Sequence, residues 1–148
     1  MRLHNFGFLK YLGNKYGFDA KEEWSYYSQK IESAIKFDVV EASALQCIDL
    51  LGVQPSLMKH KSRKGEIKIP RQVCMWYMRE FDKLGLAYIG DWFGGRDHST
   101  VCHAKDIVND MIDTKDISYG RRIKQLKPLI PNRYWEKNLV WLDAIQDN

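Results

Sequence analysis

Phe93-Gly94-Gly95-Arg96-Asp97-His98-Ser99-Thr100-Val101-Cys102 is the stretch whose reading decides the fold. Two glycines stop one short helix, because a residue without a Cβ enters helix-ending conformations at little steric cost. A run of hydrogen-bonding side chains then opens the next helix, which becomes apolar on one face only after Val101. A helix whose first turn is polar and projecting, set behind a tight turn and another helix, suits insertion into a DNA major groove. There the first residues of a recognition helix meet base edges.

Helical periodicity continues on both sides of this block, while strand signals are nearly absent. Upstream, Leu86 to Phe93 reads as a short helix with Leu86, Ile89 and Phe93 inward. Gly85 is expected to end a longer helix that begins near Pro70, where a missing N–H costs nothing. Its apolar stripe is Val73, Tyr77, Phe81 and Leu84, and Gln72, Arg79 and Lys83 share another face. A basic loop, Lys59 to Lys68, precedes it, and before that Pro55 and Ser56 open a turn of helix through Met58. Val40, Ala44, Cys47, Ile48 and Leu51 mark a further helix, with Gly52 placed where a C′ glycine ends one. Asp19-Ala20-Lys21-Glu22 resembles a capping box ahead of Trp24, Tyr27, Ile31 and Ala34 on one face.

Downstream, a helix from about Asp97 to Ile112 carries Val101, Ala104, Val108, Met111 and Ile112 as its core stripe. An Arg/Lys-rich segment at Arg121, Arg122, Lys124 and Lys127 follows, interrupted by Pro128 and Pro131. Asn132 is placed to cap a last helix bearing Trp135, Leu139, Leu142 and Ile145. The expectation is an all-α protein of roughly six or seven helices. Its parts are an N-terminal helical extension (1–38), a helix-turn-helix domain (39–112) and a C-terminal helical extension packing on the core (113–148).

At 148 residues, 45% of them hydrophobic and 28% charged, the chain is long enough to bury a core and is not a disordered tail. Three scattered cysteines without a C-x-x-C pair argue against a disulfide framework or zinc knuckle and for a reducing, cytoplasmic setting. No apolar run is long enough for a membrane span. The net charge of +4 leans weakly towards an anionic partner, and its distribution says more. Between Lys59 and Arg79 stand Lys59, Lys61, Arg63, Lys64, Lys68, Arg71 and Arg79, with Glu66 the only acid. That is the footprint expected for phosphate contact, against the plainer reading of a solvated lysine-rich loop.

Asp97 has two available roles, capping the helix it starts or reading a base, and Ser99 and Thr100 can also cap. His98 gains nothing from the helix dipole if protonated, and as a neutral imidazole it can bond a base or a phosphate. His103 follows five residues later, a poor spacing for a shared metal, so no metal or cofactor is expected.

These residues carry a family resemblance. Ile69-Pro70-Arg71-Gln72, the spacing to Gly90-Asp91-Trp92-Phe93, and the block Gly94-Gly95-Arg96-Asp97-His98-Ser99-Thr100-Val101 resemble the C-terminal DNA-binding domain of DnaA, the bacterial replication initiator. The likeness runs from about Val39 to Ile112. It implies a helix-turn-helix bundle of the Trp repressor-like type that reads a short asymmetric box of double-stranded DNA. Carried over, it places Arg63 in the minor groove of an A·T-rich tract, where negative potential concentrates. It places Asp97, His98 and Ser99 on major-groove base edges, an aspartate accepting naturally from cytosine N4. Lys61, Arg71, Gln72, Arg79, Arg96 and Thr100, with the backbone amides of Leu86 and Ala87, would hold phosphates.

Ser99 stands where the family usually has threonine, which removes a methyl contact to thymine and softens discrimination there. Ala87-Tyr88 replaces the usual Pro-Glu. No G-x-x-x-x-G-K-[ST] loop occurs in the sequence, so neither nucleotide binding nor the initiator's ATPase module is expected. The expected role is a regulator of replication or transcription, including one carried by a phage or mobile element.

Two other readings stand beside this. A protein-interaction module could dock a replication protein through Trp24, Trp135 and Trp141, although aromatics on apolar stripes more often close a core. An enzyme could use Asp91, Asp97, Asp106 and Asp110 as metal carboxylates, but nothing in the sequence completes a two-metal site.

Overall fold

The computed structural model describes residues 24–62 and 64–146, with side chains from Lys36 onward. The capping-box expectation at Asp19–Glu22 and the minor-groove residue Arg63 lie outside the described residues. So do the side chains of Trp24, Tyr27, Ile31 and Ala34. Seven helical elements follow one another: α1 (Trp24–Leu51), α2 (Pro55–Lys59), α3 (Gly65–Glu80), α4 (Leu86–Trp92), α5 (His98–Asp113), α6 (Ile117–Gln125) and, after a 3-10 turn at Lys127–Leu129, α7 (Asn132–Tyr134). Among the described residues there is no strand, and no helix is long and apolar enough to cross a membrane.

The chain divides into two units, 1–39 and 40–148. What is described of the first is helix, the opening stretch of α1. The sequence reading broke this region into two helices, whereas α1 is one helix of 28 residues. Ile35-Lys36-Phe37-Asp38-Val39 contains neither glycine nor proline, so nothing there interrupts backbone hydrogen bonding.

The second unit is built around α3. Its run Val73-Cys74-Met75-Trp76-Tyr77-Met78 is buried at every position, so this helix is covered on all sides rather than on one stripe. The end of α1 covers it with Val40, Ala44, Cys47, Ile48 and Leu51, and the Ser43 hydroxyl bonds the Asp82 carboxylate just beyond α3. From the other side, α5 contributes Val101, Ala104, Val108 and Ile112, and Asn109 accepts from the Trp76 indole at 3.0 Å.

Three boundaries differ from expectation. Helix α3 begins at Gly65, which shortens the basic loop and places Pro70 inside the helix, where the Glu66 carbonyl loses one main-chain donor. Its end is made not by Gly85 but by Lys83, which takes a left-handed φ of 52°. Gly85 instead serves as the extended N-cap of α4. The Arg/Lys-rich segment after Asp113 is itself a helix, α6. Asp116 caps it by accepting from the Tyr119 N–H at 3.0 Å, and Tyr119 and Ile123 turn inward.

The last segment is not the regular helix its spacing suggests. After the short α7 it widens into a π turn (Trp135–Leu139) and then tightens to 3-10 (Val140–Ala144). Asn132 is the first helical residue and makes no side-chain cap; the Pro131 carbonyl accepts from the Trp135 N–H instead. Trp135, Leu139 and Leu142 still reach the core, and Tyr134 stacks edge-on against Phe81 with ring centroids 4.9 Å apart. Trp135 is thus a core residue.

Candidate nucleic-acid interface

The turn between α4 and α5 exists because two glycines fit where a side chain would not. Gly94 has a φ of +86°, and a Cβ there would lie 2.5 Å from the Lys59 carbonyl oxygen. At Gly90, one turn earlier, a Cβ would come within 2.1 Å of the Arg96 carbonyl oxygen. The Arg96 N–H returns to the Gly90 carbonyl at 2.8 Å, so α4 and the start of α5 are pressed together without intervening side chains. Phe93 and Ile89 are fully buried beneath the turn.

From this support α5 presents its first turn. Asp97 is the N-cap, in extended backbone conformation, and its carboxylate accepts from the Ser99 N–H at 3.5 Å. The same Oδ1 meets His98 Nδ1 at 2.7 Å, and both side chains are about two-thirds exposed, at 65% and 68%. Accepting from Ser99 holds the Asp97 carboxyl below its ordinary value, with the nearby His98 a lesser cause, so it is ionised at neutral pH. Capping and projection are therefore not alternatives: one oxygen of Asp97 caps, and the other is left over. With Nδ1 engaged, His98 has Nε2 remaining for an outside group. Ser99 and Thr100 are exposed as well, and the helix turns inward only at Val101.

Beside this turn lies the loop between α2 and α3, held by two arginines. Arg71 Nη1 donates to the His60 carbonyl at 3.0 Å and Nη2 to the Ser62 carbonyl at 2.9 Å. Arg96 Nη2 reaches the same His60 carbonyl at 2.7 Å, and its Nη1 donates to the Phe93 carbonyl. Arg71 and Arg96, expected at phosphates, thus each give two of their donors to main-chain carbonyls. Arg71 is only 7% exposed, and both arginines spend their Nη groups on main-chain carbonyls. Burial, and then the Arg96 charge, lowers the Arg71 pKa. Two guanidiniums converging on one carbonyl tie the loop to the recognition turn and put positive charge beneath it.

The remaining expected phosphate residues differ in their freedom. Lys61 is exposed on the loop. Gln72 is half-buried, and its Oε1 accepts from the Tyr119 hydroxyl at 2.6 Å, which leaves its NH₂ as the available group. Arg79 gives Nη1 to the Leu84 carbonyl at 2.9 Å. No side chain caps α4, so the amides of Leu86 and Ala87 at its start have no intrahelical acceptor. Lys59, read in the sequence only as part of the cationic stretch, sits with Nζ 4.5 Å from the centre of the buried Trp92 ring. An isolated lysine in a basic run gives no sequence signal for such a contact.

Residues 46–108 match the bacterial dnaA protein helix-turn-helix family. This stretch of the chain is similar to the DnaA helix-turn-helix. The chain is 40% identical over 73 residues to the chromosomal replication initiator protein DnaA of Oenococcus oeni (49% of this chain, 16% of the relative). Its counterpart in Thermus thermophilus is 37% identical over 79 residues (51% and 18%). The chain thus spans less than a fifth of the length of these curated relatives. The loop, both arginine struts, the glycine turn and the exposed start of α5 fall inside the matched stretch, whereas α6 and the residues after it fall outside.

Proposed function

We propose that this chain recognises double-stranded DNA at a short, asymmetric site of the DnaA-box kind and so regulates replication initiation or transcription. The observation that carries the proposal is the exposed polar turn Asp97–Thr100 held on a fixed support beside a cationic loop. Asp97, His98 and Ser99 would meet base edges in the major groove, and Arg63 would enter the minor groove next to it. Lys61, Gln72, Arg79, Thr100 and the amides of Leu86 and Ala87 would hold phosphates. Arg71 and Arg96 act indirectly, by fixing the loop that presents the others. With serine at position 99, the base facing it is read without a methyl contact.

The test is a binding titration across a salt series against a DnaA-box duplex and a scrambled duplex of equal length. Tighter binding to the box, with affinity for both falling steeply as salt rises, is the expected result, because phosphate contacts release counterions. Equal affinity for the two duplexes would overturn site recognition. A flat response to salt would overturn the phosphate assignments.

A further inference from the structure

The family match stops at residue 108, but the cationic surface does not. Helix α6 and the turn after it set Arg121, Arg122, Lys124 and Lys127 along a groove of about 680 Å³ whose other wall, at Gly65 and Glu66, is the first turn of α3. Three of these cations are anchored. Arg122 Nη1 donates to the Leu51 carbonyl at 3.1 Å, and Lys124 Nζ to the Ile145 carbonyl at 2.6 Å. Lys127 pairs with Asp143 at 2.9 Å. A carbonyl positions a cation without neutralising it, so Arg122 brings a charge that is already ordered. Arg121 is exposed and makes no internal hydrogen bond among the described residues.

The groove is continuous with the loop that adjoins the recognition turn. Gly65 follows directly on that loop, which Arg96 and Arg71 tie to the turn through His60. The lip from Gly65 to Ile69 runs about 6 Å along α3, the axial reach of about two phosphates on one strand.

We propose that this groove holds the sugar-phosphate backbone of the same duplex, flanking the bases read by α5 and lengthening the footprint beyond the DnaA-type domain. The proposal rests on the reading of α5 as a DNA-recognition helix. An acidic protein segment would satisfy the charge as well, but continuity with the loop favours the duplex already bound there.

The experiment compares a short duplex confined to the DnaA-box site with one extended by about ten base pairs on each side, roughly one helical turn. The full-length chain is tested unaltered, as Arg121→Ala and as Ser118→Glu, which sets an acid in the groove lining without removing an arginine. The unaltered chain is expected to bind the extended duplex more tightly. Arg121→Ala should lose about fivefold on the extended duplex at about 0.15 M salt, with the salt slope reduced by about 0.9, the value of one released counterion. Ser118→Glu should lose at least as much, and neither change should alter binding to the short duplex. Equal losses on both duplexes, or no loss on the extended one, would overturn the groove assignment while leaving short-duplex recognition intact. Failure of the unaltered chain to bind either duplex would instead overturn the underlying reading and the groove with it.

Discussion

Two sets of polar side chains beside the turn between α4 and α5 are used in opposite ways. Arg71 and Arg96 each give two donors to the main-chain carbonyls of His60, Ser62 and Phe93. Asp97, His98, Ser99 and Thr100 are all exposed, with a cap bond and local contacts among themselves. The difference teaches that precise presentation needs a buried polar support. A guanidinium, planar and permanently charged, can bridge two carbonyls at once in a way a lysine cannot. The strut residues should therefore govern stability, and the projecting ones selectivity.

The largest effect that would break this division is expected at Gly90. A methyl 2.1 Å from the Arg96 carbonyl oxygen cannot be absorbed by a side-chain movement. Gly90→Ala should cost about 3 kcal/mol or more, seen as a lowered thermal midpoint, with DNA binding lost alongside. Next comes Arg71→Ala, which strips donors from two loop carbonyls and should cost about 2–3 kcal/mol. Arg71→Lys should recover less than half of it, and full rescue by lysine would show that the fork geometry is not used. On the projecting side, His98→Ala should leave the melting temperature unchanged and reduce discrimination between box and scrambled DNA by about 1–3 kcal/mol. Equal losses on both duplexes would remove His98 from base reading. The smallest effect concerns pH. The Asp97 carboxyl is held below 3.8 in the folded state, so its stabilising contribution is complete well above that value and drains away as pH falls through the lowered one. Asp97→Asn, which keeps a cap, should show a shallower loss of stability as the medium is made acidic enough to protonate the Asp97 carboxyl. Coincident acid-unfolding curves would contradict that role.

What could be read from the sequence follows the range of the forces involved. Local signals were legible: Gly52 at +69° ending α1, Pro55 opening α2, Asp97 capping α5, and the stripe Val101, Ala104, Val108 and Ile112. Signals that depend on tertiary packing were not. Pro70 sits well inside a helix because burial of the following run outweighs one missing hydrogen bond. Lys83 takes the left-handed turn that Gly85, two residues on, seemed made for. Helix α6 offers only Tyr119 and Ile123 as an inward apolar pair among its charges, too little to separate it from a basic loop. The site divides likewise. The exposure of Asp97–Thr100 follows from where the apolar stripe begins. Whether an arginine meets a phosphate or a carbonyl depends on residues far along the chain, as Arg96 and His60 show across 36 positions.

The contact between Tyr119 and Gln72 bears on how a minimal fragment of this protein should be cut. Tyr119 orients the Gln72 amide from outside the matched domain, the Tyr77 hydroxyl donates to the Leu129 carbonyl at 3.4 Å, and Tyr134 closes over Phe81. A truncation designed from the family boundary at residue 108 would uncover this aromatic seam and release the amide. An excised cassette should therefore keep residues through Leu142, and one cut at residue 108 should melt at a lower temperature.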